Sequence, residues 1–136
     1  MRSRSGRLAA VSTLAMVAAV GLSGCGEAPI TTVTLTVHYS TFEPSRIEVP
    51  HGVPVTFVLV NDDPIDHEWI IGDAASHEAH RTGTEPVHDA RPTEITVPAL
   101  ETRVTTVTFP EPGELAFICH LPGHEAYGMV GVLIVT

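Results

Sequence analysis

From residue 31 onward the chain alternates. Val33, Leu35 and Val37 are interleaved with threonines, and Val53, Val55, Phe57 and Leu59 repeat the pattern. A period of two belongs to a strand with one face buried and the other wet. Valine and threonine, branched and stiff at Cβ, suit a pleated surface better than a helix. Three more runs, Thr102 to Phe109, Glu114 to Cys119 and Gly128 to Val135, join shorter ones at Arg46–Val49, His67–Ile71 and Glu94–Val97. The strands expected therefore number about eight, with Glu111-Pro112-Gly113-Glu114 as a turn between two of them. That pattern predicts an all-β chain folded as a two-sheet sandwich. With 43% hydrophobic and 17% charged residues among 136, it reads as one globular domain.

One stretch breaks the rhythm. Gly72 to Pro92 carries no strand pattern and forms a long insertion between middle strands. Asp73 is placed to cap a short helix running through Arg81, with Gly83 ending it. Such a helix sets His77 and His80 on one face. His77, His80 and His88, with Glu78 and Asp89 close by, could form a second metal site. The plainer reading of the segment is a polar insertion facing solvent.

The first residues read differently from the rest. Arg2, Arg4 and Arg7 precede an apolar run from Leu8 to Leu22, shorter than the ~20 residues that a membrane-spanning helix needs. The run closes on Leu22-Ser23-Gly24-Cys25, which resembles the bacterial lipobox. Residues 1–24 are thus expected to be a lipoprotein signal peptide. Residues 25–30 would be a lipidated N-terminus and short tether, with Cys25 carrying the lipid. Residues 31–136 would be the folded domain, exported and anchored to the outer face of the cytoplasmic membrane or within the periplasm. The net charge of −9, from 16 acidic and seven basic residues, leaves no basic face for nucleic acid. Two cysteines cannot organise a disulfide framework. If Cys25 is lipidated, Cys119 is a lone thiol in an oxidising compartment, where it must be buried or bound to something.

The sequence around that thiol supplies the binding partner. Cys119, His124 and Met129 are separated by four residues each, so a soft thiolate, an imidazole and a thioether converge from one loop between two strands. His67 opens a strand far upstream. Two imidazoles, a thiolate and a weak axial thioether suit copper. Zinc prefers four tight ligands, and calcium and magnesium require oxygen donors. Each residue alone has an ordinary reading as core or loop; the signal lies in their types and spacing together.

With these residues the chain resembles the cupredoxins, the small blue-copper proteins, over roughly Thr31 to Thr136. Phe42-Glu43-Pro44 with Ile47, Val49 and Gly52, and the strand Val53–Val60 ending at Asn61 before His67, share in the resemblance. The resemblance implies a Greek-key β-sandwich with one type 1 copper site near one end. It implies His67, Cys119 and His124 as equatorial ligands and Met129 as the axial one. The spacers on either side of His124 resemble those of auracyanin and rusticyanin more than those of plastocyanin. Two departures stand out. Glu68 occupies the place where many family members carry an asparagine that pins the ligand loops, and His120 directly follows the cysteine, as in multicopper oxidases. The His-x-His pairs of those oxidases are absent.

The expected function is that of a membrane-anchored extracytoplasmic electron carrier, cycling Cu(I) and Cu(II), and not an enzyme. His124 would be the ligand nearest the surface, in a loop with Leu121, Pro122, Gly123, Ala126 and Tyr127. The partner expected is a redox protein with a basic or apolar docking face, met by a monomer. Copper storage or delivery to extracytoplasmic cuproenzymes is the alternative, and it would use the same four residues.

Overall fold

The computed structural model describes residues 31–84 and 91–136. The expected signal peptide, Cys25 and its tether lie outside them, as do His88 and Asp89. Nine strands and one helix follow one another: β1 (Thr31–His38), β2 (Thr41–Glu43), β3 (Arg46–Val49), β4 (Pro54–Asn61), β5 (His67–Gly72), α1 (Ala74–Thr82), β6 (Glu94–Val97), β7 (Thr102–Thr108), β8 (Gly113–Ile118) and β9 (Val130–Val135). The strand not expected from the sequence is β2, only three residues long and paired with the end of β1.

The strands form two mixed sheets, one in the order β2-β1-β4-β7 and the other β3-β9-β8-β5-β6. β1 runs parallel to β4, and β3 parallel to β9, while the remaining pairs are antiparallel. Alternation decides which side chains enter the space between the sheets. In β4, Val55, Phe57 and Leu59 point inward, while Thr56 and Val58 lie half-buried on the other face. The core centres on aromatic rings: Phe57 tilts against Trp69 with centroids 4.7 Å apart, and Phe42 meets Phe117 edge-on at 5.3 Å. Gly131 of β9 lies under Phe117. A Cβ there would stand 2.1 Å from the ring, so only glycine lets the strand pass.

The expected helix forms almost as read. Asp73 accepts from the Ser76 backbone N–H at 2.8 Å, and Gly83 ends the helix in the left-handed conformation at φ +64°. The expectation that this segment faces solvent fails for one face of the helix, while Ala74, Ala75, Glu78, Arg81 and Thr82 are exposed. His77 and His80 are both buried, because α1 lies against the sheet with His77 reaching the Ala116 carbonyl of β8.

Candidate metal centre

Two connections at one end of the sandwich carry the candidate ligands, and strand register brings them together. β5 pairs with β8 so that Ile70 stands opposite Ile118, and β8 pairs with β9 so that Ile118 stands opposite Val130. The start of β5, the end of β8 and the start of β9 therefore meet. His67 opens β5, Cys119 follows β8 and Met129 precedes β9; the Cys119 N–H donates to the Met129 carbonyl at 3.2 Å. Between them the loop folds back on itself. His124 N–H donates to Leu121 O, Met129 N–H to His124 O, and Gly128 N–H to Glu125 O, with Gly123 and Gly128 at positive φ. That folding turns the His124 ring inward.

His67 Nδ1 stands 3.2 Å from His124 Nδ1, which stands 3.2 Å from Cys119 Sγ. One donor atom from each of the three residues lies within 4.8 Å of the others. Donors bound in a plane at about 2.0–2.3 Å from one ion stand roughly 3.5–3.8 Å apart, so small shifts would accommodate a metal. His67, Cys119 and Met129 are wholly buried, and His124 is half-buried. The described residues thus bring His67, Cys119 and His124 together, with Met129 held by backbone bonds to both Cys119 and His124.

The surroundings fix the donors. His67 Nε2–H donates to Asp63 Oδ2 at 2.9 Å, which leaves Nδ1 with its lone pair toward the centre. Asp63 also accepts from the backbone N–H groups of Tyr39 and Ser40, at 2.8 and 2.7 Å. Burial alone would raise the Asp63 pKa, but these donors and His67 outweigh it and hold the carboxyl below its usual range. Asn61 braces the same turn: its side chain accepts from the Asp63 N–H and donates to the carbonyls of Ile65, Val97 and Pro98. Burial pushes the His67 imidazole below its ordinary value, against the opposing pull of Asp63. It pushes the Cys119 thiol up, opposed by the backbone N–H groups of Glu68 and Leu121. The Glu68 N–H donates to Sγ at 3.3 Å. The bond to the sulfur is therefore made by the main chain whichever side chain follows His67.

Sequence reasoning missed Asp63, and it named Asn61 only as the end of a strand. Both sit in an ordinary-looking Asn-Asp-Asp-Pro turn, and only the meeting of that turn with residues 39–40 reveals their work. Of the rim, Tyr127 was expected beside His124, while Tyr39, Ile65 and Leu100 were missed. Tyr39, Ile65, Leu100 and Tyr127 are exposed on loops of this end of the sandwich, and Leu100 is tied to Asp63 through its backbone. Leu121, expected in the exposed loop, instead packs against the core. His120 points away from Cys119 and meets α1: its Nε2 lies 2.9 Å from His77 Nδ1.

A family model described as a cupredoxin-like domain matches residues 8–135. The copper-resistant cuproprotein CopI of Rubrivivax gelatinosus is 35% identical over 97 residues, covering 69% of this chain and 59% of that protein. CopI of Pseudomonas aeruginosa is 30% identical over 126 residues, covering 69% of this chain and 70% of that protein. The chain thus spans less than two thirds of the Rubrivivax relative. Among solved structures, auracyanin B superposes with a TM-score of 0.67 at 26% identity, over 81% of this chain and 91% of its own. Auracyanin A of Chloroflexus aurantiacus, described as a "blue" copper protein, superposes at 0.62 and 24% identity, over 79% and 100%, a likeness of fold.

Proposed function

The chain belongs to the cupredoxin-like family, and from that premise we propose that it is a copper protein of the exported space that carries electrons through one type 1 site. One observation supports this reading most: His67 Nδ1, Cys119 Sγ and His124 Nδ1 converge at the mouth of the sandwich. His67, Cys119 and His124 would hold copper, with the Met129 thioether as a weaker fourth donor. Bound there, copper supplies a one-electron couple. The protein does the rest. The two sheets hold the donors in place through either oxidation state, burial keeps water from the thiolate, and Asp63 keeps His67 Nδ1 unprotonated. His124 is the one donor that reaches toward solvent, among Pro122, Gly123, Ala126 and Tyr127. Tyr39, Ile65 and Leu100 add apolar surface on neighbouring loops, a face on which a redox partner could dock while the acidic remainder of the surface steers it. An anchor at Cys25 would keep a monomer of this kind at the membrane, as a carrier and not an enzyme.

A second reading has its own support. The relatives at 35% and 30% identity are called copper-resistant, so the same residues could serve copper tolerance, holding or delivering the ion instead of passing electrons. Copper loading of the purified protein separates the two. An intensely blue protein that is reduced and reoxidised without losing copper supports the carrier; one that yields its copper readily to a chelator supports handling of the ion. A colourless protein contradicts the type 1 assignment.

A further inference from the structure

Beyond the first site, three imidazoles gather on its far side. His77 and His80 come from α1 and His120 from the ligand loop, and none of the three has a part in the proposed electron carrier. His77 Nδ1 lies 2.9 Å from His120 Nε2, with ring centroids 5.1 Å apart. The His80 ring stacks on His120, also at 5.1 Å and inclined by 20°. The side chains are nearly sealed from water: His77 is 2% and His80 9% exposed, and the His120 side chain 5%.

The partners of these rings are what turn a cluster into a site. His77 Nε2 faces the Ala116 carbonyl at 3.2 Å, and His80 Nδ1 faces the Ser76 carbonyl at 2.9 Å. A carbonyl only accepts, so both nitrogens carry the proton, and His77 Nδ1 and His80 Nε2 carry lone pairs. His120 Nδ1 stands 3.6 Å from a Glu125 carboxylate oxygen. Two of the three rings, His77 and His80, thus have one nitrogen hydrogen-bonded to a carbonyl, the arrangement that fixes ring and tautomer for a metal-binding histidine, while Glu125 lies beyond hydrogen-bond distance of His120. The first site has the same signature, since His67 is anchored on Asp63 while its other nitrogen faces His124. Glu125 is itself clamped by Arg81, whose Nε donates to both carboxylate oxygens at 3.1 and 3.0 Å. The cation of Arg81 is offset by Glu125 and by Glu78 at 3.5 Å. His77 and Arg81 also line an open cleft of about 370 Å³ bounded by Ala116 and Ile118, which meets the cluster at His77.

We propose that His77, His80 and His120 form a second metal site, taking one copper or zinc ion beside the first. Imidazole is the donor that these two borderline ions share. His77 and His120 already face each other, and His80, stacked on His120, would have to turn its ring to join them, with the Glu125 carboxylate 3.6 Å from His120. The helical pair was legible as a candidate at the outset; His120 is the third donor proposed from the described residues, and His88 lies outside them. The proposal does not rest on the role of the first site. It does link the two sites, because His120 follows Cys119 and Glu125 follows His124 in the chain.

The test uses the purified protein with its first site filled by Cu(I). Zn(II) is titrated in, metals are counted after gel filtration, and histidine ring resonances are followed by NMR. The expected result is one zinc per chain in addition to the copper, with the rings of His77, His80 and His120 shifting together. The double variant His77→Gln/His80→Gln should bind zinc at least ten-fold more weakly and keep its copper. A parallel arm adds a second equivalent of Cu(II) to the Cu(II)-loaded protein and looks by electron paramagnetic resonance for a second signal without thiolate character. Binding of either ion at these rings supports the site, and the tighter one names its ion. Failure of both ions to bind, or a second equivalent that leaves the three rings unmoved, overturns it. Should the double variant unfold, the ring shifts of the unmodified protein decide.

Discussion

At His67 the two ring nitrogens have separate duties, and the carboxylate that separates them is the most informative residue outside the donors themselves. Asp63 fixes the tautomer and the ring plane. Asp63→Asn should therefore weaken copper binding by about 10–100-fold, measured by competition with a chelator of known affinity, while Cys119→Ser abolishes the blue colour. Met129→Leu should keep copper bound and raise the reduction potential, because a weak donor to Cu(II) is lost; voltammetry reads the shift, and a collapse in copper occupancy would count against the axial role. At this scale His67, Cys119, His124 and Met129 could be picked out from type and spacing. Asp63 could not. Its importance depends on a turn meeting Tyr39 and Ser40, whose positive φ values of 49° and 53° bring their N–H groups onto the carboxylate.

Elements are held by rules that read well from sequence wherever they are local. Asp73 and Gly83 mark the helix ends because a cap side chain and a left-handed residue satisfy backbone groups within four residues of each other. Gly83→Ala should destabilise the protein by about 1–2 kcal/mol, the cost of forcing an L-residue into that conformation, as followed by urea unfolding. Gly131→Ala should cost more, at least ~1–3 kcal/mol, because its methyl would collide with the Phe117 ring; unchanged stability would show that β9 can shift away. The eight longer strands follow from period two, whereas β2 escapes because three residues cannot display a period. The burial of one face of α1 also escaped. Its inward face is made of histidines, which hydropathy scores as solvent-loving, and only the acceptors on β8 and within the helix explain why they are buried.

Over the whole molecule, the buried imidazoles set how stability depends on pH. Burial depresses the pKa of His67 and His77, and lowers that of His120 from 6.5 to about 4. A folded state that keeps these rings neutral binds fewer protons than the unfolded chain, so acid favours unfolding. Their stabilising contribution is complete above about pH 6.5, declines as pH falls, and is gone once the folded rings protonate, which for His120 is near pH 4. Denaturant melts of the metal-free protein across this range should show that decline, and a flat profile would contradict it. The acidic excess of the chain, 16 against seven, should make association with a basic partner slow down as salt rises.

X-ray absorption at the copper edge, on the protein loaded with a single equivalent, bears most directly on the central claim. The nearest neighbours of the ion should be one sulfur and two imidazole nitrogens, from Cys119, His67 and His124. A shell made only of nitrogen and oxygen would contradict the account, for copper would then be bound somewhere other than the mouth of the sandwich.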